Sequence, residues 1–231
     1  MLLPTLFVPH GAPTFALRPG AAGAALVDLA QQVERPNAII VVSPHWETSE
    51  PTVGSASDLD TLYDFGGFPG ELYTLKYPAH SHAGLARQVA ECLQDAGYAP
   101  RIDSQRGLDH GAWVPLRMMY PAADIPIIPL SIKAHAGAAY HYALGQALQP
   151  LSTQGFLIIG TGSITHNLRE LIDYRKTADD AAQAHPTEDH FMPFFVALGA
   201  AGSHPKSERF YAGVDDLVIA MDGYRFKQAV Q

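Results

Sequence analysis

A single α/β domain, with a central mostly parallel or mixed sheet, covering helices and long pocket-forming loops, is the fold class this chain predicts. Three observations carry it. Apolar runs of strand length recur at Leu3 to Val8, Ile39 to Val42, Ile125 to Ile132 and Gly155 to Gly160, and such runs read as strands buried on both faces. Segments of helical period lie between them, as the crossovers of a parallel sheet require. A length of 231 residues at 47% hydrophobic content suffices for one large core, so residues 1–231 are read as one domain.

The first strand leads into a Gly/Pro-rich loop at Gly11 to Gly20. A helix from about Ala21 to Val33 follows, with Leu26, Leu29 and Val33 as its apolar stripe. Arg35-Pro36-Asn37 stops that helix, and the second strand delivers His45-Trp46. From Glu50 to Pro78 the helical period disappears and aromatics crowd in, among them Tyr63, Phe65, Phe68 and Tyr73; a long loop of this kind is usually functional, and here it is expected to wall a pocket. A helix at Gly84 to Ala96 and a short strand at Ala99 to Ile102 come next. Gly107-Leu108-Asp109-His110-Gly111 then opens a helix that runs to Met119. After the Ile125 strand come a helix at Ala138 to Leu148 and the Gly155 strand. The last segment carries Pro186-Thr187-Glu188-Asp189-His190, a helix through Leu198, and a strand at Leu217 to Ala220.

Composition excludes several classes of function. A net charge of −8 without any Lys/Arg run argues against nucleic acid or an anionic membrane as partner. The charged fraction of 16% is below the roughly 25% of an average soluble protein, which leans towards a homodimer. One cysteine, Cys92, allows no internal disulfide, and the start Met1-Leu2-Leu3-Pro4 lacks the pattern of a secretory signal. With no apolar run of membrane-spanning length, the expected location is the cytoplasm.

Chemistry is concentrated in the histidines. His10 and His45 end apolar runs, His166 follows the Gly155 strand, and His110 and His190 lead helices from turns. Strand ends line the crevice of an α/β sheet. Neutral imidazoles gathered there from separate segments make an open catalytic site for Zn, Fe, Ni or Cu, whereas a structural zinc finger needs close-spaced ligand pairs that are absent here. Histidines 80, 82, 135, 141 and 204 are read as solvated or locally hydrogen-bonded. Gly160-Thr161-Gly162-Ser163 lacks the third glycine of a dinucleotide fingerprint and the lysine of a P-loop, so its glycines are read as tight-turn residues. Ser43 and Ser163 lack a nucleophile elbow.

The ordered blocks Pro9-His10-Gly11-Ala12-Pro13, Ser43-Pro44-His45-Trp46, Tyr63-Asp64-Phe65-Gly66-Gly67-Phe68-Pro69, Leu108-Asp109-His110-Gly111 and Pro186-Thr187-Glu188-Asp189-His190 resemble the class III extradiol ring-cleavage dioxygenases, in their DOPA 4,5-dioxygenase-like branch. The resemblance covers nearly the whole chain, although the stretch at 169–185 looks shorter than the family's connection. It implies a catalytic domain with one divalent metal ion, Fe(II) for dioxygenase activity or Zn(II). His10, His45 and His190 are the implied ligands, His166 a ligand or immediate neighbour, and His110 the acid/base residue. The implied substrates are a catechol-type aromatic and O2, with Tyr63, Phe65 and Phe68 at the ring and a muconate-semialdehyde-type product. Two alternatives stay open on the residues alone: a zinc-dependent hydrolase using the same histidines, and a non-catalytic metal or small-molecule binder. Asp64, Asp109 and backbone carbonyls are candidate acceptors for the ligand rings.

Overall fold

The computed structural model describes residues 2–163, 187–215 and 219–228. In chain order its strands are β1 (Thr5–Pro9), β2 (Ala38–Thr48), β3 (Thr52–Gly54), β4 (Asp58–Leu59), β5 (Ala79–His80), β6 (Arg101–Asp103), β7 (Ile127–Lys133), β8 (Phe156–Gly162), β9 (Lys206–Tyr211), β10 (Val214–Asp215), β11 (Ile219–Ala220) and β12 (Gly223–Lys227). The helices are α1 (Gly20–Gln32), α2 (Ala83–Asp95), α3 (His110–Met119), α4 (Gly137–Ser152) and α5 (Met192–Ala200). Eight strands form one sheet in the order β6-β3-β7-β2-β8-β1-β12-β9, while β4–β5 and β10–β11 make two small antiparallel pairs.

The middle of the sheet, β7-β2-β8-β1, is parallel. Antiparallel contacts join β3 to β7 and β12 to β1 and β9, so the sheet is mixed. Its two faces divide the apolar runs by alternation. Ile40, Val42, Ile128, Leu130 and Ile158 face α2, α4 and α5, whereas Ile39, Val41, Ile127, Leu157 and Ile159 face α1 and α3. Burial on both faces is why these strands read as continuous apolar runs. Each such side chain contributes about 1.5–3 kcal/mol by leaving water. Leu26, Leu29 and Val33 are buried as the stripe on α1 requires. No helix among the described residues is long and apolar enough to cross a membrane.

Three expectations are corrected. The loop expected from Glu50 to Pro78 contains β3, held in the main sheet by pairing with β6 and β7. β8 continues through Gly162, so Gly160 and Gly162 are strand residues and not a tight turn. They are glycines because a Cβ at Gly160 would collide with the Pro193 carbonyl, and one at Gly162 with the His190 carbonyl. Of the strand expected at Leu217 to Ala220, β11 covers Ile219–Ala220 and the rest lies outside the described residues; the two C-terminal strands that complete the sheet, β9 and β12, carry no long apolar run.

His141 is the third, in its burial though not in its local hydrogen bond. Read from the sequence as a surface or locally bonded residue, it is fully buried on α4. Its Nδ1 donates to the Gly137 carbonyl at 2.7 Å, and its Nε2 accepts the Lys133 N–H at 3.2 Å. Burial pushes its pKa down to about 4, against the Gly137 hydrogen bond. The unfolded chain takes up this proton near pH 6.5 and the folded chain does not, so His141 leaves stability intact above that pH and erodes it as pH falls towards about 4. In urea denaturation, wild type is expected to lose about 2 kcal/mol more than His141→Asn between roughly pH 7 and pH 5.

Candidate metal centre

Four of the histidines singled out in the sequence meet at the end of the sheet where β1, β2 and β8 finish. Pro9 pairs with Gly162, which places His10 immediately beyond β1. His45 arrives differently from the expectation, because it lies inside β2 and not beyond it. Between the pairs Val42–Leu130 and Glu47–Ile132, β2 advances five residues while β7 advances two. Ser43 to Trp46 therefore bow out of the ladder, and a bulge of this kind re-aims side chains. His110 is the first residue of α3. His190 sits in a 3-10 turn, Asp189–Phe191, docked on β8 through a hydrogen bond from the Ser163 N–H to the His190 carbonyl at 3.1 Å.

The rings pack closely. Centroid separations are 5.1 Å for His10–His45, 5.5 Å for His10–His110, 5.4 Å for His10–His190, 4.1 Å for His45–His110 and 4.9 Å for His45–His190. Donor atoms of His10, His45 and His110 all lie within 4.8 Å of one another. The Nε2 atoms of His10 and His45 are 3.2 Å apart. Two nitrogens bound at about 2.0–2.1 Å to one ion sit about 2.8–3.4 Å apart for angles between octahedral and tetrahedral, so this pair fits a shared cation.

Electrostatics favours the ligand form. Burial, reinforced by His45, His190 and His110, holds the His10 imidazole well below its ordinary pKa. His45 is pushed to about 3, first by burial and then by His110 and His190, against the opposing influence of Asp64 and Asp189. Both are neutral near pH 7 and present lone pairs, as metal ligation demands. His10 Nδ1 is buried without a hydrogen-bond partner. A buried orphan of this kind is uncommon and marks a functional position.

Carboxylates and a tight backbone hold the rings. His190 Nδ1 lies 2.8 Å from Asp189 Oδ2. His110 Nδ1 lies 2.9 Å from Asp64 Oδ2, while the His110 N–H donates to Asp64 Oδ1 at 2.8 Å. Asp109 caps α3 by accepting the Ala112 N–H, and it also accepts Ser43 Oγ–H at 2.5 Å and Arg106 Nη2–H at 2.9 Å. Arg106 donates in addition to the His45 carbonyl at 3.2 Å, and the His45 N–H reaches Ser43 Oγ at 3.3 Å. Burial pushes the Asp109 carboxyl above its usual range, opposed by Ser43 and Arg106. Gly111 lets α3 approach this close: a Cβ there would collide with Ser43 Oγ and stand 2.7 Å from His45 Cδ2.

The aromatic loop adjoins this centre through Phe65, whose ring meets His110 edge-on with centroids 5.6 Å apart. Tyr63 and Phe68 pack on Phe65 at 6.1 Å and 5.5 Å, and the Tyr63 hydroxyl donates to the Leu75 carbonyl at 2.8 Å. A cavity of about 530 Å³ opens beside the His190 turn, bounded by Glu47, Lys133, His135 and Asp189. It flanks the histidines and does not contain them. His166 and the segment at 169–185 lie outside the described residues.

Residues 23–178 match the family model of the catalytic LigB subunit of aromatic ring-opening dioxygenase. The chain belongs to this LigB family. Among its relatives, the 4,5-DOPA dioxygenase extradiol of Beta vulgaris is 37% identical over 256 residues, covering 96% of each chain. The protein of the same name from Escherichia coli K12 is 32% identical over 86% of this chain and 85% of its own. The crystal structure of an uncharacterized protein from Escherichia coli K12 superposes with a TM-score of 0.79 at 26% identity, covering 96% of this chain and 99% of that one. The LigB-family chain is thus an α/β enzyme of the extradiol class, an oxygen-incorporating, ring-cleaving oxidoreductase.

Sequence reasoning missed the supports of this LigB-family centre more than the centre itself. Asp189, beside His190 in the chain, was a legible signal for a ring acceptor. Ser43 and Arg106 gave none, because their roles exist only once β2 bulges against α3.

Proposed function

We propose that this LigB-family enzyme opens a catechol-type aromatic ring with O2 beside one hydroxyl, giving a muconate-semialdehyde-type product, at one divalent metal ion held by His10, His45 and His190. His166 is a further ligand or immediate neighbour in this reading. The observation that carries it is the convergence of four imidazoles, with Phe65 standing edge-on to His110. That contact supports reading His110 as the residue beside the substrate ring.

Iron(II), when bound, supplies the redox chemistry with O2 and the positive charge that favours ionised catechol oxygens. The remaining work belongs to the chain. His110 takes a hydroxyl proton from the catechol and returns one as the ring opens, a role suited to an imidazole. Phe65 and Phe68, with Tyr63 behind them, present apolar surface to the ring and keep water from that side. Both oxygen atoms of O2 end in the product, so one O2 is consumed for each ring opened.

The test is metal analysis of protein purified without added metal, then anaerobic Fe(II) reconstitution and oxygen uptake with a catechol panel. Stoichiometric O2 consumption and a yellow product, dependent on Fe(II), are expected. Absence of uptake with every catechol, or ester hydrolysis by the zinc form in its place, overturns the reading.

A further inference from the structure

We propose that Asp64 is a positioning residue for the reaction, holding His110 at both its main-chain and ring N–H groups so that the bare Nε2 is turned towards His10 and His45. This rests on the acid/base role proposed above for His110. It adds a residue from the aromatic loop to the machinery.

The geometry is two-pronged. Oδ1 accepts the His110 main-chain N–H at 2.8 Å, and Oδ2 accepts from His110 Nδ1 at 2.9 Å. Two bonds from one planar carboxylate fix the position of the residue and the rotation of its ring together. An ionised carboxylate only accepts, so Nδ1 must carry the proton and Nε2 must be bare. The same Oδ2 lies 3.7 Å from His45 Nδ1. At that distance it exerts an electrostatic pull and makes no hydrogen bond.

Asp64 is itself held firmly. Residue 61 bridges to residue 108, and main-chain bonds run from Leu62 N to Leu108 O and from Leu108 N to Asp60 O, each 2.8 Å. The Trp113 indole N–H donates to the Leu62 carbonyl at 3.0 Å. Gly107 permits this approach, since a Cβ there would collide with the Asp60 carbonyl. Asp64 therefore joins the loop carrying Tyr63 and Phe65 to the proton-transfer ring. A substrate that displaced the loop would displace His110 with it.

Asp64→Asn tests the assignment, because it keeps the shape and reverses the hydrogen-bond sense. An amide can still accept the main-chain N–H through its oxygen, but it then offers an NH2 to Nδ1, which forces the proton onto Nε2. In the metal-free protein, ¹⁵N spectra of labelled histidine are expected to show His110 as the Nδ1–H tautomer in wild type and as Nε2–H in the variant. In the iron-loaded enzyme the variant is expected to keep its metal and its KM while kcat falls by about 10²–10⁴-fold. A wild-type His110 already in the Nε2–H form overturns the proposal, and so does a variant with unchanged tautomer and kcat. The tautomer is read without turnover, so failure of the dioxygenase reading would appear in the oxygen-uptake assay and leave this measurement standing.

Discussion

His10→Ala protein is expected to emerge from reconstitution with little bound iron or zinc and with no measurable ring opening. The His10 ring touches His45, His110 and His190, and its Nε2 makes the 3.2 Å approach to His45 Nε2 that fits a shared ion. Alanine removes one of these two converging lone pairs and leaves a hole among the others. Loss of a ligand itself should exceed the roughly 10–100-fold fall in metal affinity that follows loss of a ligand's outer partner. Titration calorimetry with zinc and elemental analysis after gel filtration provide the measurement, with His204→Ala as control, since that histidine is exposed and bonds to Ser203. Stoichiometric, tight metal in His10→Ala would remove His10 from the ligand set.

His110→Gln is expected to retain the ion and lose turnover, with kcat reduced by about 10²–10⁴-fold as for a missing general acid/base. Glutamine keeps a polar side chain at the start of α3 but cannot shuttle a proton. The alternative outcome has a definite geometric basis, because the His110 donor lies within 4.8 Å of those of His10 and His45. Were His110 a ligand, the variant would lose metal as His10→Ala does, and proton transfer would pass to another ring, with His190 the next in place. Metal content and kcat measured on the same samples separate the two cases.

The sheet and the histidines were legible in the sequence for different reasons. Short continuous runs of β-branched residues such as Ile39 to Val42 read as strands buried on both faces, and their ends locate a crevice without any knowledge of register. That reasoning placed His10, but it misplaced His45, because a three-dimensional bulge in β2 leaves no composition signal beyond Pro44. β9 was hidden by its exposure. β9 reads Lys206-Ser207-Glu208-Arg209-Phe210-Tyr211, charged as an edge strand should be. β12 did carry a signal, since Tyr224 and Phe226 alternate with Arg225 and Lys227, and both aromatics are buried. His141 misled because one imidazole among the alanines and tyrosines of α4 gives no sign of which face of that helix meets the sheet. The tyrosine and phenylalanines of the long loop were found by composition, and their clustering on Phe65 follows from aromatic packing. The carboxylate between Tyr63 and Phe65 could be named as an acceptor but not paired with a ring.

The four rings are not equally secure in their places. Three of them stand on elements rooted in the two cores: His10 on the end of β1, His45 on the bulge of β2, and His110 at the head of α3. The fourth reaches the centre on a short turn, laid main chain to main chain against Gly162 and Ser163 at the rim of β8. Local stability in a folded protein spans from near zero for lightly held turns to the full global value for core strands. His190 is the ring whose turn rests on the rim of β8, but α5 runs straight on from that turn into the core through Phe191, Met192 and Phe194, so an opening that moved His190 would have to move the start of α5 with it.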